Sequence, residues 1–346
     1  MTSLHRRWAV PTYGALVATA ALAVAAPGLA EQLQWVPLLL SLLLFGMAHG
    51  AVDHRVPGRL LRRALTRREY GALITAYALA SITLMALWWV APVLALVLFL
   101  VVAMLHWGDG DLWFCERVNG RSAPRSGASL VAFVLARGLL PIGLPILAHP
   151  DTVLPVFDDI VGLFGYEAPL VLSTPQRVAG LCVVGAVVVA AAIFSIRDNR
   201  GLAVRATTID IGEMALLTAF FLVTQPVFAV GVYFLAWHSP RHILRLMMSD
   251  PRQRALVDSG RGGAALITFH REALLFTVIP LLGIAAIAVM LAVTGASEIA
   301  AISLAAIAAL TYPHAVTVAW MDRRQGVWRA PQSDPPDRVT TTGQGG

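Results

Sequence analysis

Pro92-Val93-Leu94-Ala95-Leu96-Val97-Leu98-Phe99-Leu100-Val101-Val102-Ala103-Met104-Leu105-His106-Trp107-Gly108-Asp109 runs from Val93 to Leu105 without one polar side chain, then meets an imidazole and a carboxylate. A helix that is apolar on every face must bury itself in lipid or protein. Comparable apolar runs follow one another along the chain with short polar breaks, so the stretch reads as one member of a polytopic bundle. Its terminal histidine also recurs. Ala48-His49-Gly50-Ala51-Val52-Asp53-His54, Trp237-His238-Ser239-Pro240-Arg241-His242 and Tyr312-Pro313-His314 likewise lie where apolar segments run out. Ionisable groups at such depth are costly in lipid, and several lying level with one another suggest a buried metal site.

Composition agrees with the bilayer. Of 346 residues 58% are hydrophobic and 13% charged, and mean hydropathy is +0.72, outside the range of ordinary soluble domains. The expected fold is all-α, a polytopic transmembrane helical bundle of nine to ten spans forming one integral-membrane domain over residues 1–324. The ten candidate spans cover roughly residues 8–28, 33–50, 70–90, 92–107, 128–148, 176–196, 209–225, 226–243, 272–293 and 298–320. Arginines crowd alternate breaks: Arg55 to Arg68, then Arg117 to Arg125, Arg197 to Arg205 and Arg245 to Arg261. The break holding Asp151, Asp158, Asp159 and Glu167 has none before Arg177. This alternation predicts cytoplasmic N- and C-termini in a cell (inner) membrane, with the histidines towards the cytoplasmic leaflet. The lipid bilayer is thus the first expected partner, and nucleic acid is not one.

Every one of the 26 basic residues is arginine, which excludes a rhodopsin, because a retinylidene Schiff base needs a lysine amine. Cys115 and Cys182 lie in a loop and an apolar segment respectively, so no disulfide framework is expected. Arg6-Arg7, an apolar stretch and Gly28-Leu29-Ala30 also read as a cleavable signal peptide, although the stretch is long for that and Pro11 and Tyr13 interrupt it. Residues 325–346 are polar, rich in Pro, Gly and Thr, and read as a disordered cytoplasmic tail.

His49 lies six residues before Arg55, about 9 Å below the interface at roughly 1.5 Å per residue, too deep to snorkel. Asp53, four residues on, is placed to accept its second N–H and set its tautomer. His54 points some 140° away from His49 on an ideal helix and reads as an outer partner or interfacial residue. Gly46, Ala48 and Gly50 let another helix approach closely. His106 repeats the pattern with Asp109 three residues later. His238 and His242, four apart, share a helical face unless Ser239-Pro240 starts a new helix. His314 reads as a fifth ligand or, in preference, a partner behind the ligands. His5, His149 and His270 read as solvated.

These clusters resemble the Brp/Blh family of membrane β-carotene 15,15′-dioxygenases, through HGAVDH at His49 to His54, LHWGD at His106, WHSPRH at His238 to His242 and the late Tyr-Pro-His, over residues of about 40 to 320. The resemblance implies cleavage of the central double bond of β-carotene by O2 into two all-trans-retinal. It also implies Fe(2+) held by His49, His106, His238 and His242, with an opsin as the expected recipient of the retinal. Neutral imidazoles suit ferrous iron, and zinc, although it binds such ligands, cannot activate dioxygen. A polyene dissolves in lipid, so it can enter sideways between helices. Trp107, Trp237, Tyr233 and Phe234 are the aromatic candidates for such a tunnel. Two other classes stay open. A di-iron desaturase or hydroxylase of a lipid or carotenoid would use the His49/His54 and His238/His242 pairs, but two irons need about eight ligands and only six plausible histidines exist. A non-catalytic transporter or carotenoid- or metal-binding protein would spread polar residues through the full membrane thickness, whereas here they crowd towards one side.

Overall fold

A computed structural model gives the structure of the chain and describes residues 3–120, 125–199, 204–294 and 299–328. All regular structure among the described residues is helical. The helices are α1 (Leu4–Ala25), α2 (Pro27–Leu61), α3 (Arg67–Val90), α4 (Pro92–Arg117), α5 (Gly127–Ala148), α6 (Pro150–Gly162), α7 (Thr174–Asn199), α8 (Val204–Val223), α9 (226–248), α10 (Pro251–Asp258), α11 (Gly262–Thr294) and α12 (Ile299–Gln325). The expected tail from 329 onward lies outside the described residues.

Eight of these segments are long and apolar enough to cross a membrane: α1 to α5, α7, α8 and Gly262–Gly283 within α11. They overlap eight of the ten expected spans. The other two expected spans fall on α9, which carries Arg241, His242 and Arg245, and on α12; crossing by those two is not established by length and composition.

Local chemistry sets the turns. Single residues, Ala26 and Ala91, join α1 to α2 and α3 to α4, each followed by a proline in the first turn of the next helix. Proline fits there because the first-turn N–H would have no intrahelical acceptor. Thr66 and Glu69 form a reciprocal capping box at the start of α3. α1 is packed into the bundle: Leu16 and Ala23 are buried, and the Tyr13 hydroxyl donates to Glu213 at 2.5 Å.

α2 and α9 are irregular where it matters. Each contains a π-helical turn, Leu42–Gly46 in α2 and Tyr233–His238 in α9, and the two turns pack against each other. Such turns are over-represented at functional sites because they re-aim side chains within an otherwise continuous helix. Ser239-Pro240 does not start a new helix, since Ser239 has helical torsions and the chain continues through it. Pro240 cannot donate to the Ala236 carbonyl four residues back; the Thr12 hydroxyl of α1 supplies that hydrogen bond at 2.8 Å.

α4 and α5 cross at backbone contact. A Cβ on Gly108 would stand 2.1 Å from the Val134 carbonyl oxygen, and one on Gly138 would stand 2.0 Å from that of Met104. Only glycine permits this approach. α4 itself continues to Arg117, so His106 lies inside a helix rather than at its end. The residues after it, Trp107, Gly108 and Asp111 to Cys115, are buried by neighbouring helices instead of forming a loop.

Candidate metal centre

Five imidazoles from four helices converge: His49 of α2, His106 of α4, His238 and His242 of α9, and His314 of α12. Ring centroids lie 4.8 Å apart for His49–His314 and His106–His314, 5.1 Å for His106–His238, 5.2 Å for His242–His314 and 5.4 Å for His49–His242. His238 and His242 stack one helical turn apart, with centroids 6.4 Å apart and an 11° interplanar angle. His49, His106 and His314 form the tightest set, each offering one nitrogen within 4.8 Å of the others. All five side chains are buried.

Their outward hydrogen bonds decide which nitrogens face inward. His49 Nδ1 lies 3.2 Å from the Phe45 carbonyl, which only a protonated Nδ1 can satisfy, so the Nε2 lone pair is left free. His314 Nδ1 lies 2.8 Å from Asp53 Oδ2, and the Tyr77 hydroxyl donates to the same oxygen at 3.3 Å. A carboxylate behind an imidazole fixes its tautomer and raises its basicity towards a metal. Both nitrogens of His106 and His242, and Nε2 of His238 and His314, are buried and have no hydrogen-bond partner among the described residues. Unpaired buried nitrogens on this scale cost free energy, and a divalent cation is the ligand that would satisfy one nitrogen of each of these rings at once. The residues present therefore fit a metal ion.

Several placements differ from the sequence-based expectations. Asp53 serves His314, not His49, because the α-helical stretch ends at Ala51 and Asp53–Arg55 form a 3-10 turn, so the four-residue spacing no longer gives a shared face. Asp109 does not hold His106, whose nitrogens are both unpartnered; it lies near Arg245 and Asp322. His54 turns away from the five rings: it packs on Phe276 at 4.4 Å and bonds the Ala51 carbonyl at 2.9 Å. Gly50 faces His314, Nδ1 of which would lie 3.5 Å from an added Cβ. His5 is not solvated but buried, with Nδ1 2.7 Å from Asn119 Oδ1. His270 bonds the Leu266 and Leu44 carbonyls from inside α11.

His49, His106, His238 and His314 line a cavity of about 1150 Å3, above the roughly 300–1,000 Å3 usual for small-molecule sites, and His242 stands behind them. Trp107 and Phe234 line it. Trp237 and Tyr233, expected in the tunnel wall, do not: both are fully buried behind it, and Trp237 Nε1 donates to Asp111 Oδ1 at 2.9 Å. Along α2 the lining runs from Trp35 to His54, about 28 Å at roughly 1.5 Å per residue. Leu39 and Ile82 line it too, yet are 56% and 63% exposed, so the cavity opens on the apolar flank of the bundle.

Behind His238 and His242 lies a charge cluster that sequence reasoning missed. Arg241 reaches Asp111 at 3.0 Å and Glu213 at 2.9 Å, while Arg137 reaches Glu213 at 2.7 Å and Asp111 at 3.3 Å. Two guanidinium groups face two carboxylates, so the cluster is neutral, and the Arg241 guanidinium also stacks 3.6 Å from the Trp237 ring. Arg137, Asp210 and Glu213 interrupt apolar stretches, a signal readable without coordinates. Arg125, read as a loop charge, is buried and paired with Glu116 and Asp210.

Fold and site together define a helical membrane protein with an imidazole cluster beside an apolar chamber that opens sideways. The chain belongs to the beta-carotene 15,15'-dioxygenase family, which matches residues 40–322. It is 34% identical over 311 residues to the probable beta-carotene 15,15'-dioxygenase Blh of Halobacterium salinarum, covering 88% of this chain and 89% of that protein. It is 27% identical over 318 residues to the probable beta-carotene 15,15'-dioxygenase Brp of the same organism, covering 85% of each. No solved structure matches the chain.

Proposed function

We propose that this chain is an oxygenase that cleaves β-carotene at its central 15,15′ double bond with O2, yielding two all-trans-retinal, with ferrous iron as its metal. One carbon–carbon double bond is broken and two carbonyl bonds form, each taking one oxygen atom. The observation that carries the reading is the convergence of five buried imidazoles, four of them with nitrogens that have no partner among the described residues, beside an apolar chamber that opens towards lipid. Family membership and the names of the two relatives support the substrate.

His49, His106, His238 and His242 would hold the iron, with His314 from α12 as a fifth ligand. Bound there, the metal would supply the redox chemistry that dioxygen needs to react with an unactivated alkene. The protein's own groups do the rest. Asp53 keeps His314 in the tautomer that directs Nε2 inward, and the Phe45 carbonyl does the same for His49. Trp107 and Phe234 bring aromatic faces beside His238, at centroid distances of 5.7 and 5.5 Å, where a polyene can lie against them. The apolar lining excludes water from the cut ends and admits a hydrocarbon from the bilayer.

The test is expression in β-carotene-accumulating cells. Bleaching of the orange colour with two retinal formed per carotene lost is expected, and a His106→Ala variant should leave the cells orange. Persistent colour without retinal, in cells where the protein is present in the membrane, would remove the proposal.

A further inference from the structure

A second cavity, of about 590 Å3, lies at the arginine-rich end of α2 and α3 and shares His54 as a wall with the large chamber. Arg55, Arg59, Arg67, Tyr70 and Asp250 also line it. Arg59 is engaged, 2.6 Å from Glu272 and 3.5 Å from Asp250. Asp250 is engaged as well, its Oδ1 accepting from the backbone N–H groups of Arg252 and Gln253 at 3.0 Å. Arg55, by contrast, only approaches Glu272 at 3.7 Å with its side chain 47% exposed, and Arg67 makes no ion pair among the described residues. Three guanidinium groups thus face two carboxylates, Asp250 and Glu272, and one positive charge is left over.

The surroundings say what kind of anion this charge suits. Arg67, Tyr70 and Ile74 follow at spacings of three and four on α3 and share one face, where Tyr70 and Ile74 are 37% and 36% exposed. An anion against Arg67 therefore has an apolar strip beside it, which inorganic phosphate leaves bare and an acyl chain covers. Basic pockets between transmembrane helices hold phospholipid head groups by this combination. We propose that the pocket binds the phosphodiester of a monoanionic glycerophospholipid, with Arg55 and Arg67 on the phosphate and an acyl chain along Tyr70 and Ile74. Because Ile74 and His54 also line the large chamber, the bound lipid stands against that chamber's wall. The site uses none of the five clustered imidazoles and does not depend on the carotenoid reading.

The experiment incubates the full chain in detergent with phosphatidylglycerol or phosphatidylcholine, repurifies it and counts bound phospholipid by mass spectrometry. One phosphatidylglycerol per chain, held in preference to phosphatidylcholine, is expected. Arg67→Gln should weaken that binding about fivefold and Arg55→Gln with Arg67→Gln about thirtyfold. Equal retention of both lipids overturns the proposal. So does unaltered binding in Arg67→Gln, a change at an exposed, unpaired side chain whose fold is checked by its elution profile. Displacement of the lipid by millimolar inorganic phosphate would mark a free-anion site and overturn the lipid assignment.

Discussion

Replacing Gly108 by alanine tests the α4–α5 crossing that carries His106. The new Cβ would lie 2.1 Å from the Val134 carbonyl oxygen and 2.8 Å from Val134 Cγ1. An ordinary carbon–oxygen contact needs about 3.3 Å, so the shortfall is about 1.2 Å, and because the obstructing atom is backbone no rotamer change relieves it. The helices must part by about that amount at a point two residues from His106. Overpacking of this kind costs about 1–3 kcal/mol, and the gain in helix propensity from glycine to alanine returns at most about 1 kcal/mol. A displacement near 1 Å at a reacting centre can cost about a hundredfold in rate. Gly108→Ala should therefore lower the melting temperature in detergent and cut retinal formation far more than a surface substitution does. Gly138→Ala, which meets the Met104 carbonyl at 2.0 Å in the same crossing, should do likewise, and the double variant should cost less than the sum, since either change already opens the gap. Wild-type stability and turnover in Gly108→Ala would show that the crossing is not held at backbone contact, as would strict additivity of the pair.

Asp53→Asn removes the charged acceptor behind His314 and should lower iron affinity about ten- to a hundredfold, read as iron per chain on titration; Asp109→Asn, which touches no imidazole, should leave iron content unaltered. Tyr77→Phe deletes one hydrogen bond to Asp53 and should reduce iron affinity by less than about tenfold, a value that equal loss to Asp53→Asn would contradict. Arg241→Ala strands Asp111 and Glu213 with one guanidinium between them and should destabilise the fold by about 3–5 kcal/mol in denaturation in detergent; a variant as stable as the parent would show the cluster to be energetically idle. Chelation should abolish retinal formation, and ferrous iron but not zinc should restore it.

The membrane bundle was readable because apolar runs such as Val93–Leu105 admit few other fates. All five converging imidazoles stand out in the sequence by their place at the ends of apolar runs, whereas the choice of His49, His106, His238 and His242 as a ligand set comes from the family resemblance; the shared face of His238 and His242 rests on the helix staying continuous through Pro240. Asp53 was matched to the wrong ring for an equally physical reason: four-residue spacing implies a shared face only while the backbone remains α-helical, and it stops at Ala51. His314 was undervalued because its nearness to His49 and His106 is a tertiary fact, set by how α12 packs, with no trace in local periodicity. The Arg137–Glu213–Arg241–Asp111 cluster is marked in the sequence only by charges that interrupt apolar segments; that these charges neutralise one another is a tertiary fact, since they come from four different helices. Trp237 and Tyr233 show the remaining difficulty: adjacency to a ligand in the chain does not say which side of the helix meets the chamber.

The gap beside Leu39 and Ile82 changes what counts as concentration for this protein. A guest that arrives through the bundle's flank is sampled from the surrounding hydrocarbon, so occupancy follows its mole fraction in the lipid and not its amount per litre of buffer. Adding empty vesicles that fuse with the host membrane would then slow turnover at constant total substrate, whereas halving the aqueous volume would do nothing.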